Sequence, residues 1–266
     1  MTKSGKCFSA TTKRTILFKK LFKNPLTNRP ECGIIITERK KGIDTMNKNI
    51  YCTLDTETVG GASNPTGTYN FGCTIHDKDG NIFATCSLLA MEHFDEIRND
   101  DYAKKNFPIY EERLRTGELS AVATEAEAVS IIRNLCRFYG VKYVMAYNSG
   151  FDFCKTSCRD LLDEFEFIDL YLMALQTITH QRGFSNFCHE HDFISRSGKS
   201  CATSAEAVYA YITKNPDYIE EHTALADALI EMAIFVKCYS MHKKFTKNAH
   251  QWDCKGKEFN KCFPKW

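Results

Sequence analysis

Residues 48–89, KNIYCTLDTETVGGASNPTGTYNFGCTIHDKDGNIFATCSLL, decide the fold. NIYCTLD (49–55) is rich in β-branched and aromatic residues and reads as a strand. TYNFGCTIHD and NIFATCSLL read as two further strands joined by a Lys78-Asp79-Gly80 turn, which makes them an antiparallel hairpin. Downstream the apolar period changes. TEAEAVSIIRNLCRFYG is an amphipathic helix ending at Gly140, VKYVMAYN a buried strand, FDFCKTSCRDLLDEF a helix and EFIDL a short strand. LYLMALQTI is helical and QRGFSNFCHEHDFISRSGKS a polar and aromatic loop. TSAEAVYAYIT is a helix capped by Ser204 or Thr203, and HTALADALIEMAIFVKCYSMH is the last long helix, with Thr223 as its expected N-cap. HFDEIRNDDYAKKN fits a helix or a loop. Strands, a hairpin, then strands alternating with helices predict an α/β domain: a mixed five-stranded sheet flanked by helices.

Working outward, the chain divides by charge. Its net charge of +2 conceals a split. Residues 1–45 hold eleven Lys/Arg against three Asp/Glu, residues 237–266 hold eight against two, and the remainder is acidic. Three regions are expected: a basic, poorly ordered extension over 1–45, a domain over 46–242 and a basic tail over 243–266. LFKKLF (17–22) fits a short helix and GIIIT (33–37) a short strand, neither tied to an obvious core. No apolar run reaches the length of a membrane span, and the N-terminus lacks the apolar stretch of a secretory signal, so a cytoplasmic protein with no membrane partner is expected. The thirteen cysteines are scattered among apolar stretches and match no common zinc spacing. FCHEHDF, with Cys188, His189, His191 and the later Cys201, is the one cluster of metal-ligand types. Free thiols are the expected state.

Three segments place acids where strands end or helices begin, the edge of an α/β sheet where ligands bind. In LDTET, Asp55 and Glu57 are two apart, so an extended backbone turns both to one face. Alone such a pair fits a surface equally well. Two adjacent carboxylates repel unless a cation lies between them, and a divalent ion meets that need. In AYNSGFD, Asp152 opens a helix, and Asn148 and Gly150 shape the turn before it. In HTALADA, His222 stands just before a helix and Asp227 within its first turns, where an acid also suits the helix dipole. Asp169, at the end of FIDL, is a structural acid or an outer partner of the others.

Together LDTET, AYNSGFD and HTALADA resemble the three motifs of the DEDDh family of 3′–5′ exonucleases, which includes the proofreading exonucleases of bacterial DNA polymerase III. The resemblance spans roughly residues 48–240, with all five key residues in order. The helix TSAEAVYAYI leading into EEHTALADA is similar to exonucleases of tailed bacteriophages, which would place the protein in the host cytoplasm. The resemblance implies a ribonuclease H-like fold, two divalent cations (Mg2+ or Mn2+), and hydrolysis of DNA from single-stranded or frayed 3′ ends to nucleoside 5′-monophosphates. Asp55, Glu57 and Asp227 would hold one cation, Asp55 and Asp152 the other, and His222 would activate water. The family's other branch carries a tyrosine four residues before the last aspartate; here that position is Thr223. Motif II departs from the usual A-H-N, with Tyr147 in place of the histidine.

The implied partners are a nucleic acid with a free 3′ end and a DNA polymerase or replication complex. The backbone at Thr56 and Thr58, with Asn148, would lie near the terminal nucleotide. In the 182–199 segment Arg182, Arg196 and Lys199 alternate with Phe184, Phe187 and Phe193, a pattern that suits phosphates and stacked bases or, equally, a core with solvated charges. Arg182 and Phe184 are therefore expected to contact substrate. The same motifs serve an exoribonuclease or oligoribonuclease. From another class, a catalytically silent nucleic-acid-binding or polymerase-associated module is the rival, although it would be expected to have lost one of the five residues.

Overall fold

A computed structural model describes residues 34–36, 49–60, 64–241, 251–252 and 258–259. Seven strands form one mixed sheet: β1 (Ile34–Ile36), β2 (Ile50–Val59), β3 (Gly67–Asp77), β4 (Ile82–Ala90), β5 (Ser120–Val122), β6 (Tyr143–Ala146) and β7 (Glu166–Asp169). The helices are α1 (Phe94–Asn99), α2 (Phe107–Thr116), α3 (Glu125–Tyr139), α4 (Ser149–Cys154), α5 (Leu170–Thr177), α6 (Arg182–Glu190), α7 (Ala205–Thr213) and α8 (Ala224–Ser240). Gln251–Trp252 pairs with Glu258–Phe259 in a separate two-stranded ribbon. The LFKKLF reading and the rest of both basic ends lie outside the described residues.

The five expected strands are the centre of the sheet, in the order β4-β3-β2-β6-β7. β2, β3 and β4 are antiparallel, while β6 and β7 run parallel to β2. The sheet is larger than expected because β4 has a second pairing edge. β1 pairs antiparallel with residues 84–86 along it and β5 pairs parallel with residues 88–90, so both cover an edge that would otherwise expose unpaired backbone. Ile34–Ile36 thus joins the sheet, and the sheet reaches into the segment that charge alone sets apart.

Strand alternation gives β2 two buried faces. Cys52 and Leu54 face one core with Phe71, Ile75, Ile132 and Phe153; Tyr51 faces a second with Tyr143, Met173, Ile234 and Phe235. The first lies under α3, the second under α5, α7 and α8. Burying each such aromatic or aliphatic side chain contributes roughly 1.5–3 kcal/mol, so both helical layers are anchored to the central strands. A smaller cluster around Tyr69, Ile97, Tyr110 and Leu119 seats α1 and α2 at one end.

Local chemistry explains several boundaries. Thr124 accepts the Glu127 N–H to start α3, and Gly140 ends it in the left-handed conformation (φ +66°). The Lys78–Gly80 turn closes on Asp77, whose Oδ1 accepts the backbone N–H groups of Asp79 and Asn81 at 2.9 and 3.0 Å. FDFCKTSCRDLLDEF is not one helix. It breaks after α4 because extended Thr156 donates to the Asp152 carbonyl and accepts from the Cys158 N–H, starting a 3-10 segment over Ser157–Asp163. The expected loop at 181–200 begins as a helix, since Phe184, Phe187 and Cys188 have helical spacing and Phe184 and Cys188 enter the second core. α2 and β5 were not foreseen.

No described helix is long and apolar enough to cross a membrane. The nine described cysteines are free and mostly buried.

Candidate metal centre

Asp55 and Glu57 lie within β2 rather than beyond its end, because the strand continues to Val59 through a register shift after Glu57. Across β3 their partners are Gly72 and Asn70. Both partners exist to bring α8 against the sheet. A methyl group on Gly72 would stand 2.1 Å from the backbone of Ala224 and Leu225, so only a bare glycine admits the helix there. Asn70 Oδ1 accepts the Ala224 N–H at 2.9 Å while its Nδ2 donates to the Leu88 carbonyl at 2.9 Å. The first turn of α8 is therefore capped from a neighbouring strand. Thr223 occupies the cap position without a capping bond; its hydroxyl donates to Glu221 at 2.7 Å and accepts from Arg113 at 3.0 Å.

The segment before α8 is held by its backbone. His222 adopts φ +57°, a conformation unfavourable for a residue with a Cβ. Its carbonyl accepts from Asn106 Nδ2 at 2.7 Å and from the Tyr110 hydroxyl at 3.4 Å. Arg113 secures the same segment by an ion pair with Glu221 at 2.5 Å. The His222 side chain stays half exposed. Ligand atoms of Glu57, His222 and Asp227 all lie within 4.8 Å of one another.

Asp152 completes the group from the other parallel strand. Asn148, in the left-handed conformation, turns the chain from β6 into α4, and Thr56 Oγ1 donates to Asp152 Oδ1 at 2.7 Å across the strands. Asp169 has a different task. It caps α5 through the N–H groups of Tyr171 and Leu172, and it also accepts hydrogen bonds from Ser149 and the Asn148 backbone, fixing the loop that carries Asp152.

The electrostatics show that these acids share one place. Asp55 is raised well above the usual carboxylate range by burial, then by Asp152, Glu231, Asp227 and Glu57. Burial, Asp227, Glu220 and Asp152 do the same to Glu57. Asp227 is pushed up to about 8 by burial and by Glu220, Glu221 and Glu206. Asp152 is pushed up to about 7 by burial, with the Thr56 hydrogen bond opposing. Burial is the strongest influence on all four, and other acids follow it for Asp55, Glu57 and Asp227, which is costly without a cation. Asp227 Oδ1 is buried with no hydrogen-bond partner. An orphaned, buried oxygen within an all-carboxylate and imidazole donor set fits a hard divalent ion.

A second acid and histidine group behaves differently. Glu92, His93 and Glu125 also approach within 4.8 Å, but Glu125 accepts from His93 Nε2 at 2.7 Å and from the Thr68 N–H at 2.9 Å. Its Oε1, which takes both bonds, ties α3 to β3 and to the His93 turn. A cleft of about 530 Å3 beside it, lined by Glu92, Thr124, Glu125, Arg159 and Asp160, contains none of the five motif residues.

The structure thus brings Asp55, Glu57, Asp152, His222 and Asp227 together. Thr56 is part of the group through Asp152, and Thr58 is buried two residues further along β2. Phe184 corrects the sequence reading: it is buried under Tyr211 in the second core, so its ring is not available to a ligand. Arg182 is exposed at the start of α6 and makes no ion pair among the described residues with the five. Four contributors were missed. Asn70, Gly72 and Tyr110 carry no local signal, because their role is to meet α8 and His222 from elsewhere in the chain. Glu231 did carry one: a glutamate one turn after Asp227 in an otherwise apolar run.

The chain matches no protein-family model and no curated protein.

Proposed function

We propose that this chain is a divalent-metal-dependent 3′–5′ exonuclease of the DEDDh kind, on a ribonuclease H-like fold, hydrolysing DNA at single-stranded or frayed 3′ ends. The convergence of Glu57, His222 and Asp227 within 4.8 Å, beside Asp55 and Asp152, carries this reading. The central five strands, three antiparallel and two parallel to the first, are compatible with that fold.

Asp55, Glu57 and Asp227 would hold one cation, and Asp55 with Asp152 a second. Bound there, two divalent ions supply positive charge to the phosphoryl oxygens as hydrolysis proceeds. The protein's own groups do the rest. β2 and the first turns of α8 are rigid elements, so their carboxylates are fixed before substrate arrives. Thr56 orients Asp152 by donating to its Oδ1. His222 takes the proton of the attacking water; its half-exposed imidazole can meet solvent, while the hydrogen bonds from Asn106 and Tyr110 hold its backbone in place. As the water oxygen bonds to phosphorus the bond from phosphorus to the neighbouring 3′-oxygen breaks; the terminal nucleotide leaves with its 5′-phosphate, and the released 3′-oxygen takes a proton from solvent to become the 3′-hydroxyl of the shortened strand.

Substrate contacts lie at the rim. Tyr102 is exposed, its ring centroid 6.5 Å from that of His222, and the charge of Arg196 acts on it. An aromatic face and a guanidinium beside the general base suit a base and a phosphate of a single strand. The association with a DNA polymerase or replication complex follows from the sequence resemblance.

The test uses 5′-labelled and 3′-labelled single strands of DNA and RNA with Mg2+, Mn2+ or chelator. The expected result is a descending ladder from the 5′ label, immediate mononucleotide release from the 3′ label, faster turnover of DNA, and no reaction with chelator. Tight binding with intact strands at every metal would instead identify a silent binding module, and preference for RNA an exoribonuclease.

A further inference from the structure

Glu231 stands one helical turn beyond Asp227 on α8, so both side chains leave the same face of the helix. It is 97% buried, being only 3% exposed, and its Oε2 has no hydrogen-bond partner. The carboxyl is anchored at one point by the backbone N–H of Tyr147, at the end of β6. The charges that act on it most strongly are those of Asp152 and then Asp227, and it in turn acts on Asp55 more strongly than Asp227 or Glu57 does. Because Tyr147 leads directly through the Asn148 turn into the helix that carries Asp152, this bond sets Glu231 on the Asp152 side of Asp227, with Oε2 left without a partner.

A buried glutamate with an orphaned oxygen is expensive wherever no cation is near. Along α8 the neighbouring inward positions are Ile230, Ile234 and Phe235, so apolar residues fit this layer of the helix well. A purely structural role gives no reason for a carboxylate here. A divalent ion does, because it needs six or more oxygen ligands and Asp152 offers one oxygen already engaged by Thr56. We propose that Glu231 is a fifth carboxylate of the metal centre, giving an oxygen to the cation held by Asp55 and Asp152. The proposal rests on the metal-centre reading above and extends it: the second cation would be held by three acids.

The test is a Mn2+ titration of the full chain, following free Mn2+ by electron paramagnetic resonance. Wild type is expected to bind two ions. Glu231→Gln keeps the size of the side chain but weakens the donor; it should bind the first ion as wild type does and the second ~10–100-fold more weakly. The Mn2+ dependence of any cleavage should shift by the same factor. Circular dichroism checks folding, and Glu231→Asp, which withdraws the oxygen by one methylene, is the alternative should the glutamine variant not fold. Two undiminished sites in both variants would overturn the proposal while leaving the metal-centre reading standing. A wild-type protein that binds no Mn2+ would overturn both.

Discussion

At the residue scale, the proposed division of labour between acids and histidine follows burial. Asp227 is nearly inaccessible on a rigid helix, whereas His222 is half exposed on a strained turn. A metal ligand benefits from the first environment and a proton acceptor from the second. Asp55→Ala should abolish metal-dependent cleavage with the circular dichroism spectrum unchanged, since in the proposed site its carboxylate is the one shared between both cations. His222→Ala should lower kcat ~10²–10⁴-fold, the usual contribution of general base catalysis, with Mn2+ binding weakened far less. Full activity of that variant at neutral pH would remove His222 from the mechanism.

At the element scale, the critical contact is α8 against β3. Gly72 admits the helix backbone and Asn70 caps it, so one strand sets both the height and the axial position of Asp227 and Glu231. Gly72→Ala must push the two apart, since the new methyl would meet backbone rather than a side chain that can rotate away. Overpacking of this kind costs ~1–3 kcal/mol in stability. The larger effect should be on catalysis: relieving a 2.1 Å contact moves α8 by about 1 Å, which is expected to lower kcat/KM by ~10²-fold while the protein still folds. Unchanged kinetics would show that another contact positions the helix.

At the scale of the whole molecule, the site works against the fold. Acids buried together raise one another's pKa, so the folded protein holds their protons more tightly than the unfolded chain does. For Asp227 the folded value is about 8, against about 3.9 for a free aspartate. Such a group leaves stability intact below the unfolded value and removes it as pH rises through the folded one. Without metal, wild type should therefore lose stability relative to Asp227→Asn between pH 4 and 8, by at least about 1 kcal/mol at the upper end. Urea unfolding at several pH values measures this. Saturating Mn2+ should reverse the order, because the ion binds only the folded wild-type site. An Asn variant no more stable than wild type in chelator at pH 8 would mean that Asp227 bears no such burden.

Much of this was legible in one dimension. β2, the Lys78–Gly80 hairpin, α3 from its apolar stripe to Gly140, and the acids of LDTET, AYNSGFD and HTALADA are written in local patterns of period and spacing. The 181–200 segment misled because its polar residues outnumber the three that define a buried helical face. Thr223 misled because a residue of the right type at a cap position says nothing of a better acceptor arriving from another strand.

By itself the sequence determined the central strands and most of the helices, and that three of these segments carry acids in or beside them. Only the tertiary structure decided that Asn70 rather than Thr223 caps α8, that Phe184 belongs to the core, that Ile34–Ile36 extends the sheet, and that Glu231 joins the acids. The reason is range. Periodicity, turn chemistry and helix propensity act over a few residues, whereas Gly72 meets Ala224, and Asn106 meets His222, only after the chain has closed loops of more than a hundred residues.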